Sequence, residues 1–412
     1  ALVLDEVRKD VEAIVRQRCP KLKYLISMQK PEDDETALSF SGLLKKYEGS
    51  FEYEPSPEEL CTIMFTSGTT GKSKGVMLTH RNLAENATCL DMKIPSRTVI
   101  LSVLPIHHAY CLDILKGLSL GSVICINDSL LRVARNIKLF APNMILMVPL
   151  MIETMAKKLE DAAGLPPEIV KKEVFGEQFH TICSGGAYLD PAYIDLFARY
   201  GITILQGYGM TECAPLISYA PWNEFVTTSS GRVLDIMEAR IYKENPDDRL
   251  GEIQVRGENV MVGYYKNPEA TKEVFTEDGW LRTGDLGTLD EHNNLYIRGR
   301  SKTMILSSSG QNIFPEEIEA RLNNMPFVLE SLVIERNRKL VALVYADYEA
   351  LDSLGLNNPE NLKTIMDENL KNLNNSVAAY EKVSQIQLYP TEFEKTPKRS
   401  IKRYLYNSIA ED

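Results

Sequence analysis

The sequence has few residues that could bind a transition metal or form a disulfide framework. Its seven cysteines include no Cys-x-x-Cys pair and lie mostly in apolar stretches, and its five histidines show no metal-ligand spacing. Scattered cysteines of this kind are typical of reduced core thiols in a cytosolic protein. The pattern therefore argues against a zinc site and against a disulfide-rich secreted fold, and it predicts a cytoplasmic protein.

Long apolar runs and excess positive charge are also missing. The longest apolar stretch, residues 144–152, is nine residues long and contains Pro149, whereas a membrane-spanning helix needs about 20. We therefore predict no transmembrane segment and, since no cationic start precedes a long apolar core, no signal peptide. Peripheral membrane contact stays open. A net charge of −11 argues against a general nucleic-acid surface, so small molecules are the expected partners.

The most informative stretch is a polar, glycine-rich segment that follows the apolar residues 61–65. Residues 66–75 contain three glycines, two lysines and five hydroxyl side chains, but no carboxylate. Glycines let backbone N–H groups approach an anion, and hydroxyls and lysines add donors and charge. We expect a loop between a buried strand and a helix starting near Thr79, and we predict that it binds a triphosphate. The predicted contacts are Thr66, Ser67, Gly68, Thr69, Thr70, Gly71 and Lys72.

Two other interpretations of this loop fit less well. A Walker A loop needs four residues between its glycines, and only two separate Gly68 from Gly71. An ordinary surface loop of this length, in so acidic a chain, would be expected to contain an acidic residue.

The rest of the chain predicts an α/β protein. Helices are expected over residues 4–18 and 36–47, and residues 61–230 alternate short apolar strands with helical patterns, which predicts a doubly wound, mostly parallel sheet. Ligands of such sheets bind at the carboxyl ends of the strands. The glycine-rich loop, Gly186 and Ala187, and residues 207–212 all follow such strands, so we expect them to share one cleft.

Residues 207–212 and 279–286 carry side chains suited to a nucleotide. Tyr208 could stack on adenine, the Thr211 hydroxyl could bond an α-phosphate, and the Glu212 carboxylate could hold Mg²⁺. Asp285, expected on a tight glycine turn, could accept both hydroxyls of a ribose, although a lone aspartate there more often stabilises the turn. Each motif is weak alone, and their combination is informative.

Together, segments 66–75, 207–212 and 279–286 resemble the motifs of the adenylate-forming enzymes, which include acyl-CoA synthetases, adenylation domains and luciferases. The resemblance covers about residues 60–403 and is greatest to bacterial long-chain fatty-acid–CoA ligases. It implies ATP, Mg²⁺ and coenzyme A as cofactors, a fatty acid as substrate, and an acyl-adenylate intermediate. The nucleotide contacts that it implies are Gly186, Ala187, Tyr208, Gly209, Asp285 and Arg300.

The resemblance also implies a domain plan. Residues 1–230 would form the α/β part of a large N-terminal domain that lacks its beginning, and residues 231–299 its small β-barrel-like subdomain. Residues 300–303 would be a hinge with Lys302 as the pivot. Residues 304–412 would form a small, mobile α+β C-terminal domain.

Further roles follow from the same resemblance. His107 and His108 could in principle be a base or a metal pair, but adjacent side chains diverge on an extended chain, and the resemblance favours His108 as a gate to the acyl pocket. Gly310 resembles the loop that closes over the pantetheine thiol, although the following residues also fit a simple helix start. Small residues leave room for an acyl chain: Gly185, Gly186, Gly209 and Ala214.

One position departs from the family pattern. Ser400 occupies the place of the lysine expected to assist adenylation. Lys398 and Lys402 project on the same side of an extended segment, about 6–7 Å away along the chain, so either could supply the charge. Two alternatives to the CoA ligase stay open. One is a ligase that loads a carrier protein, and the other is a nucleotide-binding protein with weakened catalysis, which Ser400 and the missing N-terminal region suggest.

Overall fold

The computed structural model describes residues 1–66, 73–89, 97–104, 112–162, 164–221, 226–307, 310–395 and 401–406. The strands in these ranges are, in chain order, β1 (Leu2–Leu4), β2 (Leu25–Ser27), β3 (Leu38–Ser39), β4 (Leu60–Thr66), β5 (Lys74–Thr79), β6 (Val99–Ser102), β7 (Val123–Ile126), β8 (Met144–Met147), β9 (Thr181–Ser184), β10 (Thr203–Gly209), β11 (Leu216–Tyr219), β12 (Arg232–Val233), β13 (Met237–Tyr242), β14 (Gly251–Gly257), β15 (Gly263–Tyr264), β16 (Leu281–Leu289), β17 (Leu295–Arg300), β18 (Ile305–Leu306), β19 (Asn312–Ile313), β20 (Val328–Arg336), β21 (Lys339–Ala346) and β22 (Val383–Leu388). The helices are α1 (Lys9–Arg18), α2 (Phe40–Lys46), α3 (His80–Thr88), α4 (Leu112–Ser119), α5 (Val133–Phe140), α6 (Pro149–Asp161), α7 (Pro167–Val174), α8 (Pro191–Arg199), α9 (Pro268–Val274), α10 (Pro315–Asn323), α11 (Tyr348–Ser353) and α12 (Pro359–Ser376).

Residues 1–56 form one compact unit, built on a parallel three-stranded sheet in the order β1-β2-β3. Its small core consists of Val7, Leu25 and Ala37. The helix expected over residues 4–18 is shorter than predicted, because the first residues pair with β2 as strand β1 and α1 begins only at Lys9. The second helix also begins late, at Phe40, where the Ser39 hydroxyl caps it.

Residues 57–412 form the second compact unit, whose largest sheet has seven strands in the order β12-β11-β10-β9-β8-β6-β7. The pairs between β7 and β10 are parallel, whereas β11 and β12 run antiparallel. The predicted α/β fold with a mostly parallel sheet is confirmed. Because β9 and β10 lie side by side, with Gln206 opposite Ser184, the residues after these two strands leave the sheet at neighbouring points.

This sheet is held by a continuous apolar core. Leu101, Ile145 and Ile182 of the strands are fully buried against side chains such as Ile152 and Phe197 of the flanking helices. Burying one such side chain contributes about 1.5–3 kcal/mol. The core therefore keeps the strand ends that carry the candidate site at a fixed spacing.

The predicted small β-subdomain is a four-stranded antiparallel sheet in the order β13-β14-β16-β17. Asp285 lies within β16, so its expected position on a tight turn is wrong. The register jumps from the pair Gln254 and Arg282 to the pair Glu252 and Leu286, which leaves residues 283–285 bulged. Gly284 has a φ of +72° there, and a bulge is where a strand uses such a glycine to redirect a side chain.

The C-terminal residues contain the short hairpin β18–β19, the sheet β20-β21-β22 and helices α10 to α12. Their core includes Ile318, Leu322, Val333 and Leu373. The α+β character predicted for this part is confirmed, and the boundaries at residues 230, 299 and 303 stay predictions.

Among the residues described here, no helix combines the length and the apolar character needed to cross a membrane. Among the same residues, free thiols are carried by Cys19, Cys61, Cys89, Cys125 and Cys213. Cys213 is buried, as expected of a core thiol, but Cys19 and Cys61 are exposed, so the expectation of core thiols is wrong for those two. They lie at the end of α1 and on the open face of β4.

Candidate nucleotide site

The candidate phosphate loop connects the two strands of an antiparallel hairpin. Thr66 ends β4 and pairs with Lys74 at the start of β5, and the Ser73 hydroxyl donates to the Thr66 carbonyl at 2.8 Å. The expected order of strand, loop and helix is wrong, because α3 begins only after β5, at His80. The other predicted loop contacts, Ser67, Gly68, Thr69, Thr70, Gly71 and Lys72, lie outside the described residues.

The sequence misled in two ways at this hairpin. The apolar run before the loop predicted a buried strand, but β4 is half exposed and Phe65 is 67% exposed. A second apolar run, residues 76–78, forms the partner strand, and periodicity alone does not say whether two such runs pair. The hairpin belongs to the sheet β15-β5-β4 and not to the seven-stranded sheet, so the expectation that all three motifs follow strands of one sheet is wrong for the loop.

Thr211 and Glu212 lie on a short 3-10 turn directly after β10, and both are buried. The Met261 amide donates to the Glu212 carbonyl at 2.8 Å, and the Tyr264 hydroxyl donates to Glu212 Oε1 at 2.8 Å. Both the backbone and the carboxylate of Glu212 are therefore held by residues near β15. Sequence patterns did not indicate Tyr264, since only the pairing of β15 with β5 brings it here.

Tyr208, Asp285 and Arg300 meet in one group that is joined by a hydrogen bond and an ion pair. The Tyr208 hydroxyl donates to Asp285 Oδ2 at 2.6 Å, and Arg300 Nε lies 3.2 Å from Asp285 Oδ1. Asp285 and Arg300 face each other across β16 and β17. Burial raises the pKa of Asp285 against the opposing effect of Arg300, and burial together with Asp285 raises the pKa of Tyr208 well above its usual value. Tyr208 therefore stays a protonated donor.

Gly209 has a structural reason to be glycine that the sequence did not suggest. A Cβ atom built on it would lie 2.0 Å from the Pro215 carbonyl oxygen. Backbone thus fills the space beside Gly209, and the expectation that it makes room for an acyl chain is wrong. Gly186 and Ala187 follow β9 and are exposed, and Gly186 has a φ of +88°.

The residues predicted to act at the thiol, at the hinge and at the acyl pocket are only partly described. Gly310 closes the tip of the β18–β19 hairpin with a φ of +78°, and its amide donates to the Ser307 carbonyl at 2.9 Å. Lys302, the predicted pivot, is exposed two residues after Arg300. His108 and its neighbour His107 lie outside the described residues.

Of the two candidate lysines, only Lys402 lies in the described part of the chain. Its ammonium lies 3.0 Å from Glu394 Oε2, and its backbone amide donates to the Glu394 carbonyl at 2.8 Å. Glu394 raises the pKa of Lys402. Lys398 and Ser400 lie outside the described residues.

Negative charge dominates the described part of the site. Glu212, Asp285 and Glu316 all act electrostatically on Arg300 and raise its pKa, and Oε2 of Glu316 is buried without a hydrogen-bond partner. Arg300 pairs with Asp285, and Arg403 Nε lies 3.6 Å from Glu316 Oε1, so two arginines face these three carboxylates. No three metal-binding side chains converge within the described ranges, but a magnesium ion on ATP takes most of its ligands from phosphates and water and needs only one or two carboxylates. Glu212 fits that requirement.

Comparisons with known proteins agree with these features. A family profile described as AMP-binding enzyme matches residues 2–265, and one described as AMP-binding enzyme C-terminal domain matches residues 302–409. The sulfoacetate–CoA ligase of Cupriavidus necator is 35% identical over 294 residues, which are 68% of this chain and 55% of that protein. The long-chain-fatty-acid–CoA ligase of Escherichia coli O6:H1 is 32% identical over 295 residues, 66% of this chain and 50% of that one.

A solved structure extends the likeness to the whole chain. The crystal structure of ATP-bound MatB from Rhodopseudomonas palustris has a TM-score of 0.77 and 25% sequence identity, and it covers 98% of this chain and 78% of its own. The chain spans about half the length of the two relatives above.

Proposed function

The chain belongs to the AMP-binding enzyme family, and from that premise we propose that it joins a carboxylic acid to a thiol in two ATP-dependent steps. In the first step, a carboxylate oxygen attacks the α-phosphorus of ATP, the bond to the bridging oxygen breaks, and pyrophosphate leaves with the electron pair. In the second step, the thiolate of coenzyme A attacks the acyl carbon and AMP leaves. The products are a thioester, AMP and pyrophosphate.

The observation that carries this proposal is the group formed by Tyr208, Asp285 and Arg300 beside Glu212. Oδ2 of Asp285 accepts the Tyr208 hydroxyl and Oδ1 forms an ion pair with Arg300. Each oxygen has a further lone pair, so Asp285 could also accept the two hydroxyls of a ribose. Arg300, half exposed at 49%, keeps guanidinium donors for a ligand. Positioning of this kind, together with charge cancellation, is the main source of catalysis in phosphoryl chemistry.

The remaining roles concern the phosphates. The buried Thr211 hydroxyl would donate to the α-phosphate, and Lys74 and Lys72 would contribute positive charge at the hairpin loop. Glu212 would hold Mg²⁺, which when bound neutralises phosphate charge. Gly310 would bring the β18–β19 hairpin to the thioester in the second step, with Lys302 as the pivot.

For the acid, we propose a fatty acid. The similarity to a long-chain-fatty-acid–CoA ligase supports this choice, whereas the similarity to a sulfoacetate–CoA ligase favours a small anionic acid. Gly185 and Gly186, in the loop after β9, carry no side chain and would leave room for an apolar tail, whose pocket His108 would gate.

For the adenylation lysine, we propose Lys398 rather than Lys402. Both the side chain and the backbone of Lys402 bond to Glu394, so the Lys402 ammonium already has a carboxylate partner. Lys398 would then supply the charge that the family places at Ser400.

The test is acid-dependent exchange of pyrophosphate into ATP, measured on the 412-residue chain. A panel would contain fatty acids of increasing length and sulfoacetate, and thioester formation would be measured with coenzyme A and with an acyl carrier protein. We expect exchange with fatty acids, and a loss of tenfold or more in Lys398→Ala with little change in Lys402→Ala. Exchange only with sulfoacetate would show that the substrate is a small anionic acid and not a fatty acid. No exchange despite ATP binding would favour a nucleotide-binding protein with weakened catalysis.

A further inference from the structure

Residues 261–265, called here the linking segment, fasten two parts of the candidate site to each other. At one end, the Met261 amide donates to the Glu212 carbonyl at 2.8 Å. Farther along, the Val262 amide donates to the Met77 carbonyl at 3.1 Å, and the Tyr265 amide donates to the Gly75 carbonyl at 2.7 Å. The linking segment therefore joins the turn that carries Glu212 to β5, the strand that leaves the phosphate loop.

Tyr264 repeats this connection with its side chain. Its hydroxyl donates to Glu212 Oε1 at 2.8 Å, and the Lys74 ammonium lies 4.9 Å from the centre of its ring. A lysine over an aromatic face at this distance is attracted to the ring. Tyr264 is 6% exposed, so one buried residue contacts both the candidate magnesium carboxylate and Lys74.

The backbone of Tyr264 is held in place as well, because its amide donates to the Thr271 hydroxyl at 2.9 Å. The Tyr264 hydroxyl occupies one oxygen of the Glu212 carboxylate and so limits the rotations that a carboxylate would otherwise sample.

We propose that Tyr264 is a positioning residue that orients the Glu212 carboxylate toward magnesium–ATP and couples it to Lys74. This role rests on the proposed function only in taking Glu212 as the magnesium ligand. The competing explanation is that Tyr264 merely fills the apolar core around β5 and β14. The two explanations differ in a measurable way, because core packing would not depend on magnesium.

The experiment is calorimetric titration of ATP into the 412-residue chain, once with excess Mg²⁺ and once with EDTA. In Tyr264→Phe the ring stays and only the hydroxyl is lost. We expect about tenfold weaker binding with Mg²⁺, as for loss of a hydrogen bond to a charged group, and a higher magnesium concentration for half-saturation. Binding in EDTA should be unchanged.

A matched control is Tyr296→Phe, which also removes a hydroxyl that donates to a carboxylate, Asp290 Oδ2 at 3.1 Å. This control should bind ATP like the wild type under both conditions. Glu212→Gln provides a second test, since adding Tyr264→Phe to it should cause no further loss of magnesium dependence. Thermal unfolding of each variant ensures that titrations are made below its transition.

Equal weakening with and without Mg²⁺, or no weakening at all, would overturn the positioning role. So would additive effects of the two substitutions. Because the titration needs neither acid nor thiol, its result is separate from the proposed reaction: missing pyrophosphate exchange with intact magnesium-dependent ATP binding would overturn only the proposed function.

Discussion

Two buried carboxylates in this molecule each pair with an arginine, and the two pairs differ in how far solvent reaches the arginine. Asp285 pairs with Arg300, whose side chain is 49% exposed. Glu319 pairs with Arg403, whose side chain is 19% exposed, and Glu319 Oε1 also accepts the Val333 amide at 2.6 Å. The first pair leaves arginine donors for a ligand, whereas the second is enclosed by protein.

The enclosed pair acts as a structural tie. Arg403 donates to the Val333 carbonyl at 3.3 Å, and its Nε lies 3.6 Å from Glu316 Oε1. It thereby fastens residues 401–406, directly after the candidate lysine segment, to α10 and β20. A buried ion pair is a weak source of stability in itself, but removing one partner leaves the other charge unpaired. We therefore call Asp285 and Arg300 the binding pair, and Glu319 and Arg403 the holding pair.

The largest effect should come from removing the arginine of the holding pair. Arg403→Met keeps the aliphatic stem but leaves the Glu319 carboxylate without its partner. At about pH 8, where Glu319 is ionised in the wild type, we expect the C-terminal part to lose about 3–5 kcal/mol of unfolding free energy. Arg300→Met should cost only about 1 kcal/mol, because water replaces a half-exposed guanidinium, while weakening ATP binding. Urea unfolding followed by circular dichroism measures both, and equal losses would contradict the distinction.

A smaller effect should appear in the pH dependence of stability. Burial, against the opposing effect of Arg403, raises the pKa of Glu319 from 4.5 to about 7. The folded state then keeps a proton that the unfolded chain releases near pH 4.5, so the unfolding free energy should fall as pH rises from 4.5 to 7, by up to about 3 kcal/mol.

In Glu319→Gln the unfolding free energy should change little between pH 4.5 and pH 7. Asp285→Asn serves as the comparison: because burial also raises the pKa of Asp285, it should remove the contribution of Asp285 to the pH dependence and leave that of Glu319 in place. Unfolding free energies at half-unit pH steps would reveal the difference. An unchanged slope in Glu319→Gln would show that Glu319 is ionised throughout.

The smallest effect should come from Tyr208, which donates to the carboxylate of the binding pair. Tyr208→Phe removes the donor to Asp285 Oδ2 and should weaken ATP binding about fivefold, equally with and without Mg²⁺, because Asp285 is assigned to the ribose. This result would contrast with the magnesium-dependent loss expected for Tyr264→Phe. A magnesium-dependent loss in Tyr208→Phe would instead assign Asp285 to the phosphates.

Much of the fold was predictable because its signals are local. Strands β8, β9 and β10 are among the short apolar strands predicted within residues 61–230, and α10 begins at Pro315, among the residues after Gly310 that fitted a helix start. The β4–β5 hairpin was not predicted, because the pattern of two successive apolar runs does not indicate whether they pair with each other. Gly209 illustrates the same limit, since its contact with Pro215 depends on the chain turning back on itself.

The sequence by itself determined the α/β class, the family and the residue types of a nucleotide site, because composition, periodicity and motif spacing are properties of neighbouring residues. Only the tertiary structure decided which side chains touch. Tyr264 and Glu212 are 52 residues apart, Tyr208 and Asp285 are 77 apart, and Arg403 and Glu319 are 84 apart. Contacts over such separations depend on the order and register of the strands, and the packing of the whole chain sets both.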